Sequence, residues 1–167
     1  NLSNPARQTF LDLSHKVATP AEGGLTALAF HPNFVENRRF FVFYTRSNYV
    51  DEPEGLYDQV SRFEVFADDP TRADPDSEVS LISQFDEHPT HQGGDLQFGP
   101  DGYLYVSLGD EGTGGDRIYE NSQRIDKDFF SGILRLDVDM KPGNLPPNPH
   151  PASKGNYLVP HDNPFVG

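Results

Sequence analysis

One histidine and three carboxylates are spaced so that short antiparallel strands would bring them together. His91 and Gln92 stand just before the apolar run Gly94–Phe98, and Asp110 and Glu111 stand just after Tyr103–Leu108. Glu22 occupies the same place before an earlier run, Leu25–Phe30. A histidine of ordinary pKa, about 6.5, serves as a base near neutral pH, and a neighbouring carboxylate fixes its tautomer. Glu22, His91, Asp110 and Glu111 around one mouth therefore suit acid/base catalysis or the holding of a cation. The structural alternative for His91 is a loop histidine that hydrogen-bonds backbone. Asp110–Asp116 has the acidic density of a calcium loop but not the Asp-x-Asp-x-Asp spacing with a distal Glu. His31, followed by Pro32, reads as structural, and His88, His150 and His161 read as loop residues.

The elements that must position these residues are strands. Leu25–Phe30, Phe40–Thr45, Val60–Phe66 and Val79–Phe85 read as four in succession, after which the order restarts with Gly94–Phe98, Tyr103–Leu108 and Gly132–Asp139. Phe40–Thr45 is apolar on both faces, as a strand between two layers must be. The restart is an internal repeat. Leu28-Ala29-Phe30-His31-Pro32 returns as Leu96-Gln97-Phe98-Gly99-Pro100, and Arg62-Phe63-Glu64-Val65 as Arg135-Leu136-Asp137-Val138. Four-stranded units repeating in this way predict an all-β fold, a β-propeller, with units at about 22–86 and 90–160. Closure needs about 4–8 blades, so the chain is expected to be a piece of a longer polypeptide whose remaining blades cover its open faces. Within a blade, the start of the innermost strand and the end of the next share one face of the disc. That places His91, Asp110 and Glu22 on one face, and His31 with the Pro100-Asp101-Gly102 turn on the other. The two sets should lie about 17 Å apart.

Composition limits the function classes. Thirteen basic residues against 26 acidic give a net charge of −13. Asp51–Glu87 holds twelve acids and only Arg62 and Arg72, and reads as a solvated outer surface. Such a field excludes nucleic-acid binding. No apolar run approaches the roughly 20 residues of a membrane helix. With no cysteine, neither a disulfide nor a thiolate site exists. Asn1-Leu2-Ser3 matches a glycosylation sequon and is taken as chance. The chain opens without Met and with no visible signal peptide, and reads as a mature or excised fragment.

Longer motifs carry a resemblance. Glu22-Gly23-Gly24-Leu25-Thr26-Ala27-Leu28-Ala29-Phe30-His31-Pro32-Asn33-Phe34 is followed by His91-Gln92-Gly93-Gly94-Asp95-Leu96 through Gly109-Asp110. Gly132-Ile133-Leu134-Arg135-Leu136-Asp137 and Asp162-Asn163-Pro164-Phe165 come after. In order and spacing this resembles the glucose/sorbosone dehydrogenase family. The resemblance implies a six-bladed propeller with pyrroloquinoline quinone over its central channel, oxidising aldose sugars or related polyols in the periplasm or outside the cell. His91 falls on the family's base and Asp110 on an active-site carboxylate, with Glu22, Gln92 and Glu111 assigned to cofactor binding. Ca²⁺ belongs to the same implication, its ligands outside this chain. The sequence departs at Glu22 and Gly115, where glucose dehydrogenases carry Gln, and at Thr90, where they carry the Asp that partners the base. The same scaffold occurs in hedgehog-interacting-protein-type modules that bind a protein or glycan. A lactonase-type propeller, with Ca²⁺ on Glu22, Asp110 and Glu111, is a third reading.

Overall fold

The computed structural model describes residues 7–112, 114–115, 118–122, 124 and 126–165. Its elements run β1 (Leu25–Phe30), α1 (Phe34–Asn37), β2 (Arg39–Ser47), β3 (Leu56–Val65), β4 (Ala73–Asp86), β5 (Gly93–Phe98), β6 (Leu104–Leu108) and β7 (Ile133–Leu136). The first four strands form one antiparallel sheet in the order β1-β2-β3-β4, and the last three form a second, β5-β6-β7. Spatial order follows chain order in both, the meander that a propeller blade uses.

The Phe-rich β2 explains how the layers assemble. Phe40, Phe41, Val42, Phe43 and Tyr44 are all fully buried. Strand alternation sends Phe41 and Phe43 to one side, where they pack with Val60 and Ile82 against Leu96, Leu104 and Val106 of the second sheet. Phe40, Val42 and Tyr44 turn the opposite way onto Phe63 and Leu13, with Phe10 and Val17 around them. The segment before β1 therefore covers the face that the second sheet leaves open. Each buried Phe side chain contributes about 1.5–3 kcal/mol.

The structure extends two strands beyond their apolar cores. β3 begins at Leu56 rather than Val60, and β4 at Ala73 rather than Val79. The added residues are mostly polar and lie outside the apolar runs, yet the ladder runs on through Thr45↔Asp58 and Arg46↔Tyr57. Pro75 is tolerated because β4 is the outermost strand and the register shifts beside it, between Arg62 and Glu64. The acidic stretch is not wholly solvated either. Asp58 and Asp86 are fully buried, and Glu78 accepts hydrogen bonds from Tyr44 Oη at 2.6 Å and Lys16 Nζ at 2.5 Å. Among the described residues the second sheet has three strands, because past Leu136 the chain makes only isolated bridges such as Asp137↔Leu158.

Candidate functional site

Three side chains meet where β5 begins and β6 ends. His91 Nδ1 lies 2.7 Å from Asp110 Oδ1, and the His91 backbone N–H donates to Glu22 Oε2 at 2.9 Å. Asp110 Oδ1 also accepts from the Gly112 N–H at 3.1 Å. The strands explain this convergence. Gly93 pairs with Leu108 across β5 and β6, leaving His91 and Asp110 at adjoining strand ends. Glu22 arrives from the first sheet, its own N–H bonded to Pro89 O at 3.2 Å. The imidazole is half exposed, at 50%, and the Asp110 carboxylate is 28% exposed.

The chemistry follows from the hydrogen bond. An ionised Asp110 accepts the Nδ1–H, so that tautomer leaves the lone pair on Nε2. The bond to Asp110 holds the imidazolium and raises the histidine's pKa, while the carboxyl of Asp110 is held below its ordinary range by the same bond. Thr90, standing where the resembling enzymes carry the partner Asp, bonds instead to His88 Nδ1 at 2.9 Å. Among the described residues Asp110 is the carboxylate hydrogen-bonded to the His91 ring, and the Glu22 carboxylate adds a weaker electrostatic pull.

The local backbone is held under strain. His91 has φ 64° and Glu111 φ 69°, both left-handed and non-glycine. Such residues cost about 1–3 kcal/mol each and persist where their surroundings over-determine them. Here the Glu22 carboxylate grips the His91 N–H, and Gly109 N–H bonds to Gln92 O at 3.2 Å. Gly109 lies so close that a Cβ on it would collide with the His91 carbonyl.

Gln92 and Glu111 do not join the trio. Gln92 is 2% exposed, and its Nε2 donates to His88 O at 2.7 Å. Glu111 is 5% exposed and accepts from the Glu87 N–H at 3.2 Å and Asn121 Nδ2 at 2.8 Å. Both side chains brace the loops from inside, beside the buried Asp58 and Asp86. Asn121 escaped the sequence reading because a lone Asn in a polar stretch gives no signal. His31 lies at the other end of β5, 4% exposed, its ring edge-on to Phe98 at 5.1 Å and its Nε2 3.1 Å from Asp139 Oδ1. It is structural, on the opposite face from His91. A cleft of about 420 Å³ opens among Tyr57, Phe85, Tyr119 and His150, but Glu22, His91 and Asp110 do not line it. The site is an open rim. Among the described residues, no three histidine or carboxylate groups converge as metal ligands. Thr113 and Asp116 of the acidic loop, and the sequon at Asn1, fall outside the described residues.

Known proteins share this architecture. A soluble aldose sugar dehydrogenase from Escherichia coli superposes with a TM-score of 0.63 at 21% identity, over 90% of this chain and 36% of that one. A PQQ-bound aldose sugar dehydrogenase from Streptomyces coelicolor gives 0.55 at 24%, over 83% and 36%. These likenesses establish the fold, a partial β-propeller. In sequence, the chain is 32% identical over 167 residues to the Hedgehog-interacting protein of Mus musculus, covering 95% of this chain and 22% of that protein. It is 30% identical over 193 residues to the HIPL1 protein of Arabidopsis thaliana, covering 93% and 26%. The chain thus spans about a quarter of the curated relatives it matches. The model of the Glucose / Sorbosone dehydrogenase family matches residues 3–164, and the chain belongs to that family.

Proposed function

We propose that this chain carries the catalytic base of a quinone-dependent oxidoreductase acting on aldose sugars or related polyols. The observation behind the reading is the 2.7 Å His91–Asp110 bond on an imidazole open to solvent. His91 Nε2 takes the proton of the sugar's anomeric hydroxyl, and Asp110 orients the ring and stabilises the imidazolium that forms. Glu22 fixes the backbone that aims it. Pyrroloquinoline quinone, when bound, supplies the hydride acceptor. The residues present fit the base but not the whole cofactor site. The groups bonded to His91 are carboxylates, whereas the quinone's own carboxylates need cationic partners. Those partners, and the ligands of any Ca²⁺, belong to the rest of the full-length polypeptide in this reading. The proposed location is periplasmic or extracellular, and among the described residues no helix is long and apolar enough to cross a membrane.

The test is to reconstitute the full-length protein with the quinone and Ca²⁺ and follow dye reduction with a panel of aldoses. Quinone-dependent turnover is expected; no quinone binding at micromolar concentration would sink the reading. A second reading, a non-catalytic propeller that binds a protein or glycan, draws on the 32% identity to Hedgehog-interacting protein and on Thr90. Binding of a protein or glycan to this face, with no quinone bound, would favour it.

A further inference from the structure

Behind the His91 loop lie buried acids that, among the described residues, form no ion pair. On the face of the first sheet that meets the second, the apolar rows of β2, β3 and β4 give way near the loop end to Thr45, Asp58, Gln84 and Asp86. Asp58 and Asp86 are 0% exposed. Seven buried side-chain atoms among the described residues lack a hydrogen-bond partner, and five of them belong to this cluster. They are Thr45 Oγ1, both Asp58 oxygens, Asp86 Oδ2 and Gln92 Oε1. Among the described residues no N–H or O–H reaches Asp58, and the register Leu56↔Asp86 and Asp58↔Gln84 sets Asp58 and Asp86 diagonally across from each other on the same face of β3 and β4, where each carboxyl acts on the other. Two bare carboxylates so placed repel each other, whereas one proton between them makes a bond.

We propose that Asp58 and Asp86 share a proton, and that this pair is the positioning element for the loop that carries His91. Asp58 donates to Asp86, whose Oδ1 accepts the His88 N–H at 2.8 Å. His88 O in turn receives Gln92 Nε2 at 2.7 Å. The chain of bonds thus clasps residues 86–92 from beneath and leaves His91 between its two anchors, Asp110 and Glu22. The groups facing the pair reinforce the need for a proton. Glu111, from the loop after β6, adds a third negative charge toward both acids. Glu87 turns its N–H to Glu111, and His88 spends its ring on Thr90. Lys127 acts on Glu111, and Tyr119 lies toward Glu111, Glu87 and Asp86. Burial pushes Asp58 well upward and Asp86 up to about 6. A carboxyl raised on folding gives stability that is complete below its ordinary range and lost as pH rises through the folded value.

The inference rests on the His91 site but not on its redox role, so the test reads no turnover. Thermal stability of the full-length protein is followed from about pH 4.5 to about pH 8, with His91 titrated by NMR of labelled histidine. The wild-type folding equilibrium constant is expected to go on falling, by up to about tenfold per pH unit, once Asp86 has ionised, because the folded state alone still holds the shared proton on Asp58, the slope of one linked proton. Asp58→Asn, which keeps a donor but cannot ionise, should flatten that fall and leave the raised His91 titration in place. Asp86→Ala should return His91 to the ordinary range by freeing its loop. If that variant does not fold, the protection factor of the His88 amide in the unmodified protein decides, and it should drop over the same pH interval. An unchanged slope in Asp58→Asn overturns the shared proton. So does Ca²⁺ stabilising the wild type but not Asp58→Asn, which would put a cation where the proton is placed.

Discussion

At the residue scale, the pairing of His91 with Asp110 makes a signed pH prediction. The Asp110 hydrogen bond raises the His91 pKa, and the base works only when neutral. Turnover should therefore rise with pH through a value above the ordinary histidine range. Asp110→Asn should move that acid limb to lower pH and lower kcat/KM by about 10²–10⁴, since the ring loses its preferred tautomer. A kcat/KM profile against pH checks both effects. The same pairing favours folding below the ordinary histidine range, and that contribution is lost as pH rises through the folded value. It is small because the imidazole is half exposed and screened. His91→Ala should lower turnover by about 10²–10⁴ with little loss of thermal stability. A variant that keeps full dye reduction would remove His91 from the mechanism.

At the element scale, the β5–β6 hairpin is what converts sequence spacing into a site. Its far turn is closed by the Gly102 N–H on Gly99 O at 2.9 Å and the Tyr103 N–H on Asp101 Oδ1 at 3.1 Å. Its near end is closed by Gly109 against Gln92. Gly109→Ala should separate the strand ends, because the new methyl group runs into the His91 carbonyl. The expected readout is loss of the raised His91 titration in NMR, with the remainder of the sheet still protected from hydrogen exchange. Phe43→Ala tests the layer beneath. Phe43 is fully buried within the cluster that joins the sheets, and its removal should cost about 3–5 kcal/mol in denaturant unfolding.

For the whole molecule, the exposed apolar residues mark where more protein belongs. Leu25, Leu28 and Phe30 of the innermost strand β1 are 48%, 39% and 49% exposed, and Ile133 at the start of β7 is 72% exposed. A fragment of residues 1–167 expressed alone should bind an apolar dye such as ANS and self-associate. The full-length protein should do neither, and amide exchange along β1 should slow in it. Equal dye binding by both would contradict burial of these strands against further blades. The chain's −13 charge opposes association but does not remove these side chains from water.

The sequence by itself determined whatever depends on local alternation. Strand order, the repeat and the meeting of Glu22, His91 and Asp110 were legible, because antiparallel strands of five or six residues return the chain to the same face however the sheets then pack. His31 was legible as structural for the same reason. Tertiary structure decided what depends on which surface another layer covers. Asp58 and Asp86 sit within a run of acids that looks uniformly solvated, and the loops before β5 and after β6, which bring His88, Gln92 and Glu111 against them, are what the folded chain adds to take them out of water. Glu111 follows Asp110 directly, yet its left-handed backbone turns it inward to Asn121 and Glu87 while Asp110 faces His91. Burial of a polar side chain is a property of its neighbours across the interface. Neither the identity of that side chain nor its spacing along the chain encodes it.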